Sequence, residues 1–346
     1  MIQELSPGGA ERVVLSLLHG ARAAGHDAAV AAAPGAWSAE AGDPTFALPL
    51  IERRPHRVVS AARAVRRAIG AFGPDIVHAH NPAMAAVTGL STLRGRRTPA
   101  LVSFHGVPDH DYTGAVRTLR FAGLPVVACG PAVATALAAH GRSARTTIVN
   151  GVAPAPAPAD RAALATEWGI PAETTWLMCV GRLAEVKGHR LAVGALGTLS
   201  DARLILVGEG PLRADLEAQA VAAGTGARVV FAGLRADARA LMGAADVIVM
   251  PSTSEGFPLA AVEALASGTP LVATAARGLR ELLHDGEDAL VVPIGDVGAL
   301  ARAVSRLVDD AGLAAQIGAA GAAASAAYTE EAMVAGYLDF YKELTG

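Results

Sequence analysis

The chain has 346 residues, of which 52% are hydrophobic and 18% charged, and its formal net charge at pH 7 is −3. This length suggests two domains, the composition excludes a disordered chain, and the charge argues against a general nucleic-acid binder. No apolar run reaches the roughly 18 residues of a membrane helix. The only cysteines, Cys129 and Cys179, are too few for a disulfide framework, which favours a reducing, cytoplasmic setting.

Short apolar runs alternate with Ala-rich amphipathic stretches, a pattern typical of parallel sheets covered by helices on both faces. In the first half this predicts strands at 27–33, 75–80, 100–105, 126–130 and 146–151, and helices at 10–25, 56–73 and 131–141. The first strand would have only about five residues from Met1, so it stays open whether the true start lies upstream.

The proline-rich stretch 153–161 predicts a stiff, extended connection, after which the pattern restarts. Strands are predicted at 176–183, 203–210, 228–234, 246–252, 270–275 and 289–293, and helices at about 188–199, 211–224, 235–244, 258–268 and 296–324, with a final amphipathic helix at 330–346. Residues 1–150 hold 15 Arg against 9 acidic residues (+6), and the remainder holds 14 basic against 23 acidic residues (−9). This division supports two folding units.

We therefore predict an α/β protein with two Rossmann-like, doubly wound domains facing across a cleft, at 1–152 and 153–327. In such sheets ligands bind beyond the carboxyl ends of the strands.

A glycine turn in PGGAER (7–12) ends the first strand and opens a helix. Free amides and the helix dipole at such a turn favour an anion such as a phosphate. A simple tight turn explains Gly8 and Gly9 equally well. The turn is not the GxGxxG fingerprint of a dinucleotide site.

Two cations follow a predicted strand in VGRLAEVKGH (180–189). Arg182 as a planar fork and Lys187 as a point charge suit a diphosphate, although surface cations are more often merely solvated. Lys187 is one of only two lysines in the chain, the other being Lys342. That scarcity favours a specific role for its ammonium group.

The segment PSTSEGFPLAAVEALASGTPLVAT (251–274) places Glu255 and Glu263 with seven residues between them. A helix starting near Pro258 would set Glu263 among apolar neighbours, where a carboxylate needs a polar partner. Ribose hydroxyls or a nearby arginine would serve. The amides of Gly256, Phe257, Leu259 and Ala260 are expected to be free at the start of this helix, for sugar hydroxyls or phosphate oxygens.

Three histidines end predicted strands, His78 and His80 in DIVHAH and His105 in SFHG. Such residues donate hydrogen bonds near neutral pH. His78 and His80 are expected to face opposite ways, and no third ligand is evident, so we predict no metal site.

The predicted helix 56–73 carries Arg57, Arg63, Arg66 and Arg67 beside apolar residues. A basic amphipathic helix can contact anionic lipid, whereas a solvated face over a packed one is the commoner arrangement. Peripheral contact with the inner face of the membrane therefore stays open.

Together, PGGAER, SFHG, VGRL with its following KG, and EGFPLAAVEALASGTP followed by ELLHDGEDALVVP resemble the retaining nucleotide-sugar glycosyltransferases of the GT-B type. The branch is family four, "glycosyl transferases group 1", and the resemblance spans nearly the whole chain. It implies transfer of a hexosyl group from a nucleoside diphosphate sugar, most often uridine-linked. It implies neither cofactor nor metal, because Arg182 and Lys187 replace the metal, and retention without an evident nucleophile suggests front-face substitution.

The same resemblance assigns roles to individual residues. The turn of Gly8 and Gly9 would lie against the donor diphosphate, and the final helix, 328–346, would cross back to the first domain. The other implied roles are neutralising the diphosphate (Arg182, Lys187), contacting the donor sugar (Glu255, with Gly256), backbone contacts to sugar and phosphate (Phe257, Pro258, Leu259, Ala260), binding the ribose (Glu263), lying near the base (Leu234), lying by the anomeric region and acceptor (His105), and forming the hinge (Asn150, Gly151). His105, Glu255, Arg182 and Lys187 are the candidate catalytic residues.

Other functions remain to be weighed. A nucleotide-sugar 2-epimerase shares the fold but not this Glu spacing. An oxidoreductase would need a GxGxxG turn, and a non-catalytic scaffold would have lost motif residues that are present here. Acceptor-binding segments diverge, at 106–123 in this chain, so a sugar, a lipid-linked sugar and a natural product all stay open as acceptors, as does the oligomeric state.

Overall fold

A computed structural model of the chain describes residues 1–51, 55–92 and 98–346, and in the helix that begins at Pro55 it describes side chains from residue 58 on. Contacts divide the chain into two compact units. Unit 1 comprises Met1–Gly151 and Glu330–Gly346, and unit 2 comprises Val152–Thr329.

Unit 1 is built from short parallel strands and the helices that connect them. Its strands are β1 (Val30–Ala32), β2 (Thr45–Ala47), β3 (Val77–His80), β4 (Ala100–Phe104), β5 (Val126–Ala128) and β6 (Thr146–Thr147), and its helices before the boundary are α1 (Gly9–Ala23), α2 (Ser38–Ala41), α3 (Pro55–Phe72), α4 (Pro82–Thr92), α5 (Tyr112–Ala122) and α6 (Pro131–Ala139). One sheet pairs β1 with β2, and another has the order β3-β4-β5-β6.

The first residues of the chain lie between these two sheets. The amide of Ile2 donates to the carbonyl of Ala31 and the amide of Leu5 to that of Ala33, while the amide of His80 donates to the carbonyl of Met1. The segment thus pairs with β1 on one side and with β3 on the other. It forms only an isolated bridge, between Glu4 and Ala33, rather than the regular strand expected from the sequence.

Unit 2 contains one six-stranded parallel sheet with the order β12-β11-β10-β7-β8-β9. Its strands are β7 (Thr175–Val180), β8 (Ala202–Val207), β9 (Val229–Gly233), β10 (Val247–Met250), β11 (Leu271–Thr274) and β12 (Leu290–Val292), and its helices are α7 (Arg161–Trp168), α8 (His189–Leu196), α9 (Arg213–Ala222), α10 (Ala238–Met242), α11 (Leu259–Ala266), α12 (Val297–Asp309) and α13 (Ala311–Ser325). The strand order reverses between β7 and β10, which is the point where ligands bind in open α/β sheets.

The continuous apolar strands of unit 2 are explained by burial on both faces of the sheet. Leu177 and Leu204 belong to one hydrophobic cluster and their neighbours Met178 and Ile205 to another. Because alternate side chains of a strand point to opposite faces, each face has its own core.

The last helix, α14 (Glu330–Thr345), belongs to unit 1. It packs on α1, and it buries Met333, Tyr337 and Phe340. The core of unit 1 is therefore completed by residues that follow unit 2 in the chain.

The structure differs from the sequence-based expectations in one long helix and several short ones. The helix predicted at 296–324 is broken at Asp310, whose carboxylate caps α13 by accepting from the amide of Leu313, 2.9 Å away. Aspartate competes well for this capping position, so the break is encoded locally. Helices α2, α4, α5 and α7 and strand β2 were not predicted.

Candidate functional site

In unit 2, the loops that follow β7 and β10 meet at the reversal of strand order. The amide of Thr253 donates to the carbonyl of Val186 over 2.9 Å, which ties the two loops together. The first loop carries Arg182 and Lys187, and the second carries Glu255. The sheet order thus brings together residues that are 68 positions apart in the sequence.

Lys187 and Glu255 form a close ion pair. The ammonium Nζ of Lys187 donates to both carboxylate oxygens of Glu255, over 2.7 and 3.0 Å. Ser252 Oγ donates to Oε1 of the same carboxylate over 2.7 Å. The Glu255 side chain is 10% exposed and that of Lys187 is 25% exposed, so both charges are partly desolvated and held in a fixed geometry.

The approach of the two loops depends on Gly188, which follows Lys187. Its φ is +66°, and a Cβ built there would lie 1.9 Å from the carbonyl oxygen of Pro251. Both the backbone conformation and the space therefore require glycine. Lys187 ends a short 3₁₀ turn, Glu185–Lys187, and the glycine after it lets α8 begin against the second loop.

Other predicted site residues of unit 2 are more open. Arg182 is exposed, and Leu234, the residue expected near a base, is 53% exposed. Among the described residues, the hydrogen bonds and the ion pair of Lys187 and Glu255 involve neither Arg182 nor Leu234.

Glu263 lies in α11 and is mostly enclosed, its side chain being 18% exposed. Its Oε1 lies 3.6 Å from Nε of Arg239 in α10. An arginine partner was one of the two alternatives for this carboxylate, and Arg239 itself was not singled out from the sequence. Arg239 lies in α10, the helix that precedes β10 and α11 in the chain, and an arginine in that preceding helix is the signal that could have found it.

The start of α11 provides backbone donors, with one correction. The helix begins at Leu259, one residue after the predicted start. The amide of Leu259 is not free as expected, because it donates to the carbonyl of Phe257 over 3.0 Å. In the part of the chain that is described, the amides of Gly256, Phe257 and Ala260 have no recorded acceptor, and they remain candidates for binding oxygen atoms.

In unit 1, the glycine turn lies where it was predicted. Gly8 is the N-cap of α1 and Gly9 its first residue. Gly8 is extended, with φ −174°, so its conformation does not demand glycine. The turn offers the amino end of a 15-residue helix, which favours an anion.

The histidines of unit 1 lie side by side. The rings of His78 and His80 stack with centroids 4.0 Å apart, and those of His80 and His105 with centroids 5.4 Å apart. The expectation that His78 and His80 face opposite ways was wrong, because residues two apart in a strand share a face. Nδ1 of His80 lies 3.1 Å from Nε2 of His105.

Hydroxyl groups of α14 continue this row of histidines. Nδ1 of His78 is 2.6 Å from the hydroxyl of Tyr341, and Nε2 is 2.7 Å from Ser103 Oγ. Ser103 Oγ is in turn 2.6 Å from the hydroxyl of Tyr337. Sequence reasoning missed both tyrosines, since only the fold shows that α14 packs beside β3 and β4.

Burial keeps these imidazoles neutral. It lowers the pKa of His105 to about 4 and holds the pKa of His78 and of His80 well below 6.5. For His78 the nearby amino terminus and His105 act in the same direction. The row therefore provides neutral hydrogen-bonding groups at neutral pH, whereas the site of unit 2 provides charges.

Within residues 1–51, 55–92 and 98–346, no three His, Cys, Asp or Glu side chains lie close enough together to hold a metal ion. Of the helices described, none combines the length and apolar character of a membrane span. In α3 the side chains of Arg63, Arg66 and Arg67 are exposed and Val65 is buried, while the side chain of Arg57 lies outside the described residues. The helix therefore has a solvated basic face over a packed one.

Comparisons with known proteins agree with this architecture. Residues 7–173 match the model described as "Glycosyltransferase Family 4", and residues 174–310 match "Glycosyl transferases group 1". A solved structure of Anabaena Alr3699/HepE in complex with UDP-glucose superposes with a TM-score of 0.84, at 25% identity, covering 98% of this chain and 99% of that one.

Two curated relatives match the chain at higher identity. The lipopolysaccharide core biosynthesis glycosyltransferase LpsE of Rhizobium meliloti (strain 1021) is 38% identical over 44% of this chain and 43% of its own length. The 2-deoxystreptamine glucosyltransferase of Streptomyces kanamyceticus is 40% identical over 44% of this chain and 42% of its own length. The chain thus spans less than half the length of these two relatives.

Two Rossmann-like units with a charged site at the strand reversal of the second define a protein of the GT-B fold class. The chain belongs to the group 1 glycosyltransferases, as both family models and the relatives indicate.

Proposed function

We propose that this protein is a retaining glycosyltransferase that moves a hexosyl group from a uridine diphosphate sugar to an acceptor hydroxyl, without a metal ion. The observation that carries the proposal is the cluster of Lys187, Glu255 and Ser252 at the strand reversal of unit 2. A cation there suits a diphosphate, and a carboxylate beside it suits sugar hydroxyls. The UDP-glucose complex of HepE supports a uridine-linked donor.

In the proposed reaction, the bond between the anomeric carbon and the phosphate oxygen breaks as the acceptor oxygen bonds to the same face of that carbon. The acceptor's proton passes to the departing diphosphate. Lys187 and Arg182 stabilise the negative charge that develops on this leaving group. Glu255 binds the donor sugar, and Gly256, Phe257 and Ala260 donate backbone hydrogen bonds to sugar and phosphate oxygens.

The remaining predicted residues have supporting roles in the proposal. Glu263 binds the ribose hydroxyls, Leu234 lies near the base, and the turn of Gly8 and Gly9 lies against the diphosphate. His105 acts at the anomeric region and the acceptor as a neutral hydrogen-bonding group. The names of the relatives suggest a lipid-linked or natural-product acceptor, and we propose that the reaction takes place in the cytoplasm.

A thermal-shift screen with uridine, guanosine, adenosine and thymidine diphosphates and their sugars tests the donor. We expect stabilisation by UDP above the other diphosphates. The selected donor is then incubated with acceptor, and the product's anomeric configuration is read by NMR. Inversion at the anomeric carbon would contradict the mechanism.

Two controls separate the alternatives. Activity should survive a chelator, and a strict requirement for Mg²⁺ or Mn²⁺ would refute metal independence. Conversion of the donor sugar to its C2 epimer without any acceptor would instead identify a nucleotide-sugar 2-epimerase.

A further inference from the structure

Arg235 connects the turn that carries Leu234 to two helices of unit 2. Leu234 follows β9 directly, and Arg235 is the next residue. Nε and Nη2 of Arg235 donate to the two carboxylate oxygens of Asp237, each over 2.8 Å. Its Nη1 donates to Oε1 of Glu167 in α7. The proposed transfer reaction gives no role to Arg235, Asp237 or Glu167.

The carboxylate of Asp237 binds Arg235 instead of capping the next helix. Asp237 is the N-cap residue of α10, a position where an aspartate usually accepts a hydrogen bond from a helix amide. In the described part of the chain its side chain makes no such bond. Hydrogen bonds from Arg235 lower the pKa of Asp237 below its usual range. The carboxylate is therefore ionised at neutral pH and is used to hold the guanidinium.

This cluster of three charged side chains has the geometry that makes a surface ion pair effective. Exposed pairs usually contribute little to stability, and bidentate pairs and networks are the exceptions. Arg235 is 21% exposed, whereas Glu167 and Asp237 are 48% and 46% exposed. The guanidinium is thus the most enclosed member, and its planar fork has a fixed orientation between two carboxylates.

The turn is also held at the end that lies before Leu234. The carbonyl of Gly233 accepts a hydrogen bond from the amide of Gly208 over 2.8 Å, which ties the loop after β9 to the loop after β8. Between this bond and the anchor at Arg235, the side chain of Leu234 is 53% exposed. An apolar side chain that is both fixed and exposed at the carboxyl edge of the sheet suits the flat face of a nucleobase.

We propose that Arg235 is a positioning residue that holds Leu234 in place against the base of the nucleotide. This inference rests on the proposed function, since it requires a uridine nucleotide in unit 2. Because the turn is fixed before the nucleotide binds, less conformational freedom is lost on binding. Glu167 and Asp237 act only through Arg235 and do not contact the nucleotide.

Binding of UDP and of ribose 5-diphosphate, which lacks the base, tests this role by calorimetry. In the wild type we expect UDP to bind about 10-fold more tightly, because the base covers apolar surface of Leu234. Arg235→Met should weaken UDP binding by about 5-fold, since the turn must then be ordered on binding, and leave ribose 5-diphosphate binding unchanged. Arg235→Lys should recover only part of the loss, because an ammonium group lacks the planar fork.

Glu167→Gln is a milder change, because it keeps the bidentate pair of Arg235 with Asp237. It should weaken UDP binding by less than Arg235→Met does and leave ribose 5-diphosphate binding unchanged. This variant keeps the test decisive if Arg235→Met proves unstable. The double variant Arg235→Met/Leu234→Ala should bind UDP no more weakly than Leu234→Ala alone, since both changes disable the same contact.

The matched control is Arg228→Met. Arg228 lies directly before β9, at the opposite end of the strand from Arg235. It also anchors a connection of unit 2, since it donates to the carbonyls of Leu199 and Ser200. Arg228→Met should therefore keep the wild-type preference for UDP over ribose 5-diphosphate.

The outcomes separate this inference from the proposed function. If Arg235→Met weakens both ligands equally, or neither, while the wild type prefers UDP, the positioning role is refuted and the nucleotide site stands. Additive losses in the double variant, or a wild type that binds both ligands equally well, would refute it too. If no nucleoside diphosphate of the thermal-shift screen binds the wild type, the proposed function fails, and the positioning role fails with it.

Discussion

The two units reach hydrogen-bonding chemistry by opposite physical means. In unit 2 the groups at the strand ends are charged, with Lys187 and Glu255 paired over 2.7 Å. In unit 1 they are stacked imidazoles whose pKa values burial holds below 6.5. In both units the edge of the parallel sheet determines where the polar groups lie. Whether these groups are charged depends on how deeply each side chain is buried.

The strongest test of the charged site compares the two lysines of the chain. Lys187→Ala should lower kcat by about 10³-fold, because a cation at a developing phosphate charge is lost. Lys342→Ala should leave kcat unchanged, since Lys342 is 72% exposed and pairs with the exposed Asp339. Steady-state kinetics with the thermal midpoint measured in parallel checks this. Near-wild-type turnover of a folded Lys187→Ala protein would show that Lys187 does not act in the reaction.

A second test asks whether the approach of the two loops matters for the charged site. Gly188→Ala should lower kcat by about 10²-fold and destabilise the fold by about 3 kcal/mol, since its Cβ would press on the carbonyl of Pro251. Gly224→Ala is the matched control, with φ +69° and nothing within 4 Å of its Cβ. It should cost only the 1–2 kcal/mol or so of the left-handed conformation and keep its activity. Equal effects of the two changes would contradict the role of the close approach.

The neutral site should show itself in the pH dependence of stability. His105 takes up a proton in the unfolded chain below about pH 6.5, but in the folded protein only near its lowered pKa of about 4. The free energy of unfolding of unit 1 should therefore fall by about 3 kcal/mol as the pH falls from about 6.5 to about 4. The shifts of His78 and His80 act in the same direction.

Hydrogen exchange read on peptides from β4 and, for comparison, β8 measures this fall. His105→Asn should reduce the pH dependence of the unfolding free energy measured on β4 peptides. The values measured on β8 peptides should not change. If the unfolding free energy measured on β4 peptides of the wild type does not depend on pH, the histidines are not kept neutral by burial.

The smallest expected effect comes from the hydroxyl that bonds His78. Tyr341→Phe leaves Nδ1 of His78 without its partner at 2.6 Å and should destabilise unit 1 by about 1 kcal/mol. Denaturant unfolding checks this value, with Tyr328→Phe of unit 2 as control. A change below the experimental error would show that water replaces the hydroxyl.

The sequence predicted most elements because their apolar runs match their burial. The strand DVIVMPS contains β10, and all four residues of β10 are buried. The prediction failed where a local signal was weak or outweighed. Helix α4 is apolar nearly all round, with six buried residues, so it has no amphipathic pattern to read, and α12 and α13 merged because one capping residue, Asp310, separates them.

The candidate site was predictable only as a set of motifs. The pair of Lys187 and Glu255 forms because β7 lies beside β10 in the sheet. No local sequence pattern predicts this strand order. The row of histidines similarly depends on register, since His80 pairs with Ser103 one strand away. Burial by α14, which comes from the far end of the chain, then sets the charge of these histidines.

Unit 1 is formed from two separate segments of the chain, and this has a consequence for its folding during synthesis on the ribosome. Unit 2 is one continuous stretch, Val152–Thr329, so all of its residues leave the ribosome one after another. Unit 1 is incomplete until Glu330–Gly346 has been translated. Domains generally fold as units while the chain is made. The half that begins to be translated first is therefore the last to be finished, and until Tyr337 arrives, Ser103 and His78 lack the helix that encloses them.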